Sequence, residues 1–269
     1  MSSSTNLHRA ALALGLALGS AATLAATVHQ DFTAPGSSYA LRDAAEVIRD
    51  ASGDYLRLAR AGASADQGTI AFDKVAAGSF NRVVADFDFR LFGGTRADGL
   101  GFALLNTWVY GDSGAVAPYS VAEEPGFFSS LGIGYDIWDN GEINDNHLSV
   151  HFNGAVVKTV DLYAQGIDLW SADDEGFANS RIVVDFTRHS VSVSLAGLDV
   201  LSNFVIPGLD AYDSRVWFGG RSGGQSANHD LDNIRITYES TAVPEPGTLA
   251  LACAALLGLG AVRRRQRRI

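Results

Sequence analysis

Between Asp31 and Tyr238 apolar and polar residues alternate with period two between turn signals, the pattern of half-buried β-strands. The clearest stretch is Arg82 to Phe92. Val83, Ala85, Phe87, Phe89 and Leu91 share one face and Arg82, Asp86, Asp88 and Arg90 the other, which predicts a core side and a wet side. Asn153-Gly154, both tolerant of positive φ, predicts a hairpin joining His147 to Phe152 with Ala155 to Val160. Arg181 to Phe186 and Ser190 to Leu195 read as a second pair, followed by a short strand over Leu198 to Leu201. Val216 to Tyr238 carries a strand at each end around the loop GGRSGGQSANHD. Helical periodicity is confined to a short turn at Arg42 to Asp50. Many strands without intervening helices predict an all-β sandwich or jelly roll, and no repeat or linker divides it.

The two ends follow other patterns. Arg9, the apolar run Ala10 to Leu18 and small residues through Ala26 form the layout of a secretory signal peptide, a helical segment over residues 1–26. At the other end, Val243-Pro244-Glu245-Pro246-Gly247 precedes an apolar run from Thr248 to Val262 and then RRRQRRI. The run is 15 residues long, short of the about 20 that a permanent span needs. The arginines would hold the end on the cytoplasmic side. Motif, hydrophobic helix and basic stop over residues 242–269 resemble the PEP-CTERM sorting signal of Gram-negative bacteria, with Pro244, Glu245 and Pro246 as its motif. The resemblance implies export, transient membrane insertion, recognition by an exosortase-type membrane peptidase and delivery to the envelope, outer surface or extracellular matrix. The body is then residues 27–241.

Composition narrows the partners. Of 20 Lys and Arg, six lie in the end segments, which leaves 14 against 30 acidic residues. Phosphate binding needs a basic stripe, so nucleic acid is excluded, whereas cations and neutral sugars suit the surface. The lone Cys253 sits in the hydrophobic tail, so the body has no disulfide and is stable through its core.

The densest chemistry lies in Leu131 to Gly154, LGIGYDIWDNGEINDNHLSVHFNG, a strand, a polar loop and a strand. Asp136, Asp139, Asn140, Glu142, Asn144, Asp145, Asn146 and His147 offer oxygen donors for a hard cation and amides for sugar hydroxyls. Gly53 to Leu58, Gln67 to Phe72, Phe87 to Phe89, Ala97 to Phe102 and Ile133 to Asn140 occur in an order that resembles the legume (L-type) lectins and their bacterial relatives with a concanavalin A-like jelly-roll fold. That resemblance implies a sugar site built from Asp98, Asn140, Trp138 and a backbone N–H of Gly93 or Gly94. It also implies calcium on Asp136, Asn140, Asp145 and the Trp138 carbonyl, fixing the loop and the peptide before Asp98. Gly134 departs from the family, which places a metal-binding Glu there, and His147 follows Asp145 too soon. Both argue against the family's transition-metal site and leave His147 as a polar residue at a strand start. His229 either borders the sugar site or stabilises its loop.

Glucan hydrolases share the fold but carry Glu-x-Asp-x-x-Glu on one strand. Here Glu142-Ile143-Asn144-Asp145 is followed by His147, so the second carboxylate is missing. The sequence reads as an exported, non-catalytic carbohydrate-binding protein that meets a polysaccharide or glycan. A structural matrix protein on the same fold, or less readily a glycan hydrolase, is the alternative.

Overall fold

A computed structural model describes residues 24–118 and 121–240. The export segment up to residue 23, the sorting motif with Pro244, Glu245 and Pro246, Cys253 and the two terminal helices expected from the sequence lie outside the described residues. In chain order the strands are β1 (Leu24–Gln30), β2 (Tyr39–Asp43), β3 (Glu46–Asp50), β4 (Gly53–Ala59), β5 (Gln67–Phe72), β6 (Arg82–Phe92), β7 (Gly99–Asn106) and β8 (Leu131–Asp136). They continue as β9 (His147–Phe152), β10 (Ala155–Asp161), β11 (Trp170–Ser171), β12 (Ala178–Asp185), β13 (Ser190–Leu195), β14 (Leu198–Val205), β15 (Ser214–Arg221) and β16 (Asn228–Ser240). One short helix, α1 (Thr107–Tyr110), follows β7.

The strands form two sheets. The first runs β14-β13-β12-β6-β16-β4-β3, with β1 beside β16 and β11 beside β6; the second runs β10-β9-β8-β7-β15-β5-β2. Neighbours along the two main paths pair antiparallel, and β11 lies parallel to β6. Residues 42–50 form β2, a turn and β3 rather than a helical turn, because β2 finds a partner in β5 and β3 in β4. β1 begins at Leu24, within the stretch expected for export.

The core between the sheets is aromatic at its centre. Phe87 of β6 meets Phe218 of β15 at 4.9 Å and Phe102 and Tyr135, of β7 and β8, each at 6.2 Å between centroids. The buried Tyr135 hydroxyl crosses the sandwich to Ser180 Oγ at 2.7 Å, so the phenol is satisfied where water is absent. The alternating face of β6 packs inward as its pattern predicts. Arg90, expected on the wet face, is buried instead. Its guanidinium bonds Asp230 at 2.9 Å and Asp174 at 2.6 Å, with the Tyr55, Phe92 and Phe177 rings 4.4–4.8 Å away. Two carboxylates and three ring faces replace the water it gives up.

The outer face of the second sheet has a different logic. A Cβ on Gly101 of β7 would lie 2.0 Å from the Ala122 carbonyl oxygen, and one on Gly134 of β8 would lie 2.3 Å from that of Glu123. Gly132 stands equally close to Pro125. Hydrogen in place of side chains thus lets residues 122–125 lie directly on the sheet, and this contact delivers Glu123 and Glu124 to the end of β8. Gly134→Ala forces that segment off the sheet. Overpacking of this kind costs about 1–3 kcal/mol, and a urea unfolding midpoint that stays unchanged in G134A would contradict it.

Candidate carbohydrate and metal site

Asp98 immediately precedes β7, after a cis Ala97–Asp98 peptide, and is 3% exposed. Its N–H donates to the Arg221 carbonyl at 2.8 Å, and its own carbonyl accepts from Ile137 N–H at 2.9 Å. The second bond ties the Asp98 turn to the loop holding Trp138 and Asn140. The Asp98 carboxylate pairs with the Arg221 guanidinium and accepts from Gly223 N–H at 3.1 Å. Arg221 also reaches Glu123 Oε1 at 3.4 Å. The Ala97 carbonyl meets His229 Nε2 at 3.1 Å, so His229 braces the turn from within the core.

Gly93 and Gly94 follow β6 with φ of 66° and 65°. The Gly93 N–H donates to Ser171 O at 2.9 Å, and its carbonyl accepts from Trp170 Nε1 at 3.0 Å. A Cβ on Gly94 would stand 2.1 Å from Ser226 O, which is why the turn takes glycine. These two residues join the Gly-rich loop to β11. The backbone donor that meets Asp98 is Gly223, which the sequence does not single out.

In the loop after β8, Trp138 is half-buried and donates its N–H to Asp136 Oδ1 at 2.7 Å. Asn140 is exposed, with its N–H on Glu142 Oε2 at 2.6 Å. Asp145 turns toward Arg96, whose Nη2 donates to the Asp145 carbonyl at 3.1 Å and whose Nε lies 3.3 Å from Oδ2. Arg96 also holds Asp168 at 2.8 Å and stacks over Tyr163 and Trp170.

Asp136 is grouped with residues from two other segments. Single ligand atoms of Glu124, Asp136 and His147 all lie within 4.8 Å of one another. Asp136 and His147 are register partners across β8 and β9. His147 Nδ1 meets the Asn144 carbonyl at 2.9 Å, which leaves Nε2, 3.4 Å from Glu124 Oε1, to face the cluster. Ligating histidines characteristically carry such a carbonyl partner on the other ring nitrogen. His151 Nε2 holds the second Glu124 oxygen at 2.6 Å. Asp136 Oδ2 is buried with no hydrogen-bond partner among the described residues. A carboxylate therefore does reach the neighbourhood of the position that Gly134 leaves without one, from the segment that precedes β8. The pair Glu123-Glu124, acidic and followed by Pro125, is the one sequence cue to it.

The electrostatics describe a site short of positive charge. Burial pushes the Asp136 carboxyl up to about 7 against the Trp138 N–H, and pushes Glu123 up to about 8 despite Arg221. Burial also works against Glu124, but His147 and His151 outweigh it and hold that carboxyl at about 2. His147 loses proton affinity to burial and regains more from Glu124 and Asp136, so its pKa is raised. Two carboxylates and an imidazole are a mixed N/O donor set, and a dication there would meet an unpaired buried oxygen.

His229 behaves oppositely. Burial lowers its pKa from 6.5 to about 4. The unfolded chain takes up that proton below pH 6.5 and the folded chain only near 4, so stability is lost as pH falls through this window. The difference corresponds to about 3 kcal/mol. In His229→Gln the loss between pH 6.5 and 4 is expected to shrink by that order; an unaltered pH profile of thermal unfolding would count against it.

The PEP-CTERM protein-sorting motif matches residues 242–266. No match is found among curated proteins. Among solved structures, peanut lectin with a 9mer peptide superposes with a TM-score of 0.60 at 16% identity, over 81% of this chain and 97% of that one. Lectin UEA-II complexed with galactose gives 0.57 at 15%, over 81% and 98%. The exoplasmic/lumenal domain of VIP36, in its Ca2+/Man3GlcNAc-bound form, gives 0.53 at 14%, over 77% and 87%. The chain therefore pairs the two-sheet sandwich fold of the legume lectins with a PEP-CTERM sorting motif at its C-terminal end.

Proposed function

We propose that this is an exported, non-catalytic carbohydrate-binding protein whose sugar site lies where the Asp98 turn meets the Trp138–Asn140 loop. The observation that carries the reading is the Ile137-to-Asp98 hydrogen bond of 2.9 Å, which joins carboxylate, aromatic and amide groups at one end of a lectin-fold sheet. Asp98 accepts from sugar hydroxyls, Arg221 and Asn140 donate to them, and the Trp138 ring covers the apolar side of the pyranose. The PEP-CTERM motif supports handling by an exosortase-type membrane peptidase and placement at the cell surface or in the matrix. The solved neighbours are lectins, which supports binding rather than catalysis.

A metal ion belongs to this reading. Calcium accompanies the VIP36 domain named above. Here Glu124, Asp136 and His147 would hold the ion, and their imidazole favours a borderline cation such as Zn2+ over calcium, which prefers oxygen alone. The ion would neutralise the buried carboxylates and fix the loop that presents Trp138 and Asn140. Arg96 already clamps Asp145 in the same loop, so the loop is held at two points.

A structural matrix role on the same fold is favoured by one observation, the burial of Asp98 with its carboxylate already paired to Arg221. A glycan array separates the two, since the lectin reading requires saccharide binding that Asp98→Asn removes. For the metal, thermal unfolding after chelation and then with Zn2+, Mn2+ or Ca2+ is the measurement. An ion at a hundredfold excess over its Kd stabilises by about 2.7 kcal/mol, and Glu124→Gln should abolish the gain. Stabilisation by calcium alone that survives E124Q would refute the assignment of these ligands.

A further inference from the structure

Trp108 is 94% exposed, beside Val109 at 44%. Several large apolar side chains of this protein are exposed, and Trp108 is the most exposed of them, with its neighbour Val109 extending the apolar surface. This one is not on a loose segment. Asn106 Oδ1 caps α1 by accepting Trp108 N–H at 3.0 Å, and Thr107 N–H donates to Asp213 O at 2.9 Å. The buried Arg215 donates to the Tyr110 and Gly114 carbonyls, both at 2.8 Å, and the Tyr110 ring packs on Phe127 at 5.2 Å. The backbone is fixed on both sides of the indole while the indole itself stands in solvent.

Trp108 borders an open depression of about 690 Å3 that also includes Lys74, Asn106, Asp112 and Asp213. Lys74 Nζ bridges Asp112 at 3.0 Å and Asp213 at 3.4 Å. An aromatic plane is thus edged by an amide, an ammonium and two carboxylates, donors and acceptors mixed at close range. Charged groups at the level of the indole disfavour insertion into lipid, and the net negative rim disfavours an acidic ligand. A neutral sugar fits both features, with C–H groups for the ring and hydroxyls for the rim.

We propose that Trp108 and its rim form a second saccharide-contact site, at the end of β7 opposite Asp98. It rests on the lectin reading above and extends it. Asp98 and Trp108 bracket the eight residues of β7, which sets the two sites roughly 25 Å apart at the usual rise of an extended chain. The protein therefore engages a glycan polymer at both ends and links two strands of it. The fixed backbone under the indole limits the main-chain part of the ordering cost of binding.

The test uses the full chain and four proteins: wild type, Trp108→Ala, Asp98→Asn and the double variant. Trp108 is solvent-exposed, so W108A should unfold as the wild type does. Calorimetric titration with mannotriose and galactotriose is expected to give two sugars per wild-type chain, one for each single variant and none for the double. With soluble mannan or galactan, W108A should lose about a hundredfold in apparent affinity, the lower end of what a second linked contact adds. One sugar per chain in both wild type and W108A, absent in D98N, would overturn the Trp108 site and leave the lectin reading standing. Binding lost in W108A but kept in D98N would support Trp108 and displace Asp98. No saccharide bound by any of the proteins would reject both. A defect of W108A on phosphatidylglycerol vesicles but not on polysaccharide would assign the indole to lipid and overturn the proposal.

Discussion

The contact between residues 122–125 and the outer face of the second sheet is the constraint on which the candidate site depends. Backbone lies on backbone there, with Gly101, Gly132 and Gly134 supplying no Cβ to hold them apart. Close approach excludes water, and exclusion of water raises the proton affinity of Glu123 and Asp136. The same approach places Glu124 against two histidines of β9, where it stays ionised. One steric fact therefore sets the position of the carboxylates and their charge, and the unpaired Asp136 oxygen follows from both.

Around that contact the turns are held by arginines. Arg221 joins Asp98 to Glu123, and Arg96 joins Asp145 to Asp168 between two aromatic rings. Both guanidiniums connect segments far apart in sequence. Their planar forks suit this task, since each serves two acceptors in fixed directions. These ion pairs tie the turns together without a disulfide, in keeping with a body that has no cysteine.

Much of the fold was legible because it depends on local pattern. The alternation in β6 and the Asn153-Gly154 turn are written in neighbouring residues, and both strands of that hairpin end where the turn requires. The Arg42–Asp50 stretch misled because its apolar spacing is compatible with a helical turn, while its pairing with β5 and β4 is a tertiary matter. Arg90 misled for a related reason: period two gives the face of a side chain but not what covers that face. The site was legible only in part. Asp136 and Trp138 share a loop and are adjacent by chain geometry, whereas Glu124, Arg221 and Gly223 come to it through contacts that no spacing encodes. Gly134 read as a missing carboxylate; in space it is also what lets the segment carrying Glu124 approach.

That last point bears on how such a site can change over generations. A Glu at position 134 and a segment resting on Gly134 exclude each other, so the two ways of supplying a carboxylate cannot coexist in one molecule. Passage between them needs the glycine and the 122–125 segment to alter together, with any intermediate carrying a steric clash or lacking the carboxylate. A chain that has adopted the glycine arrangement is thereby committed to it, and its descendants are expected to vary Glu124 and Gly134 as a pair.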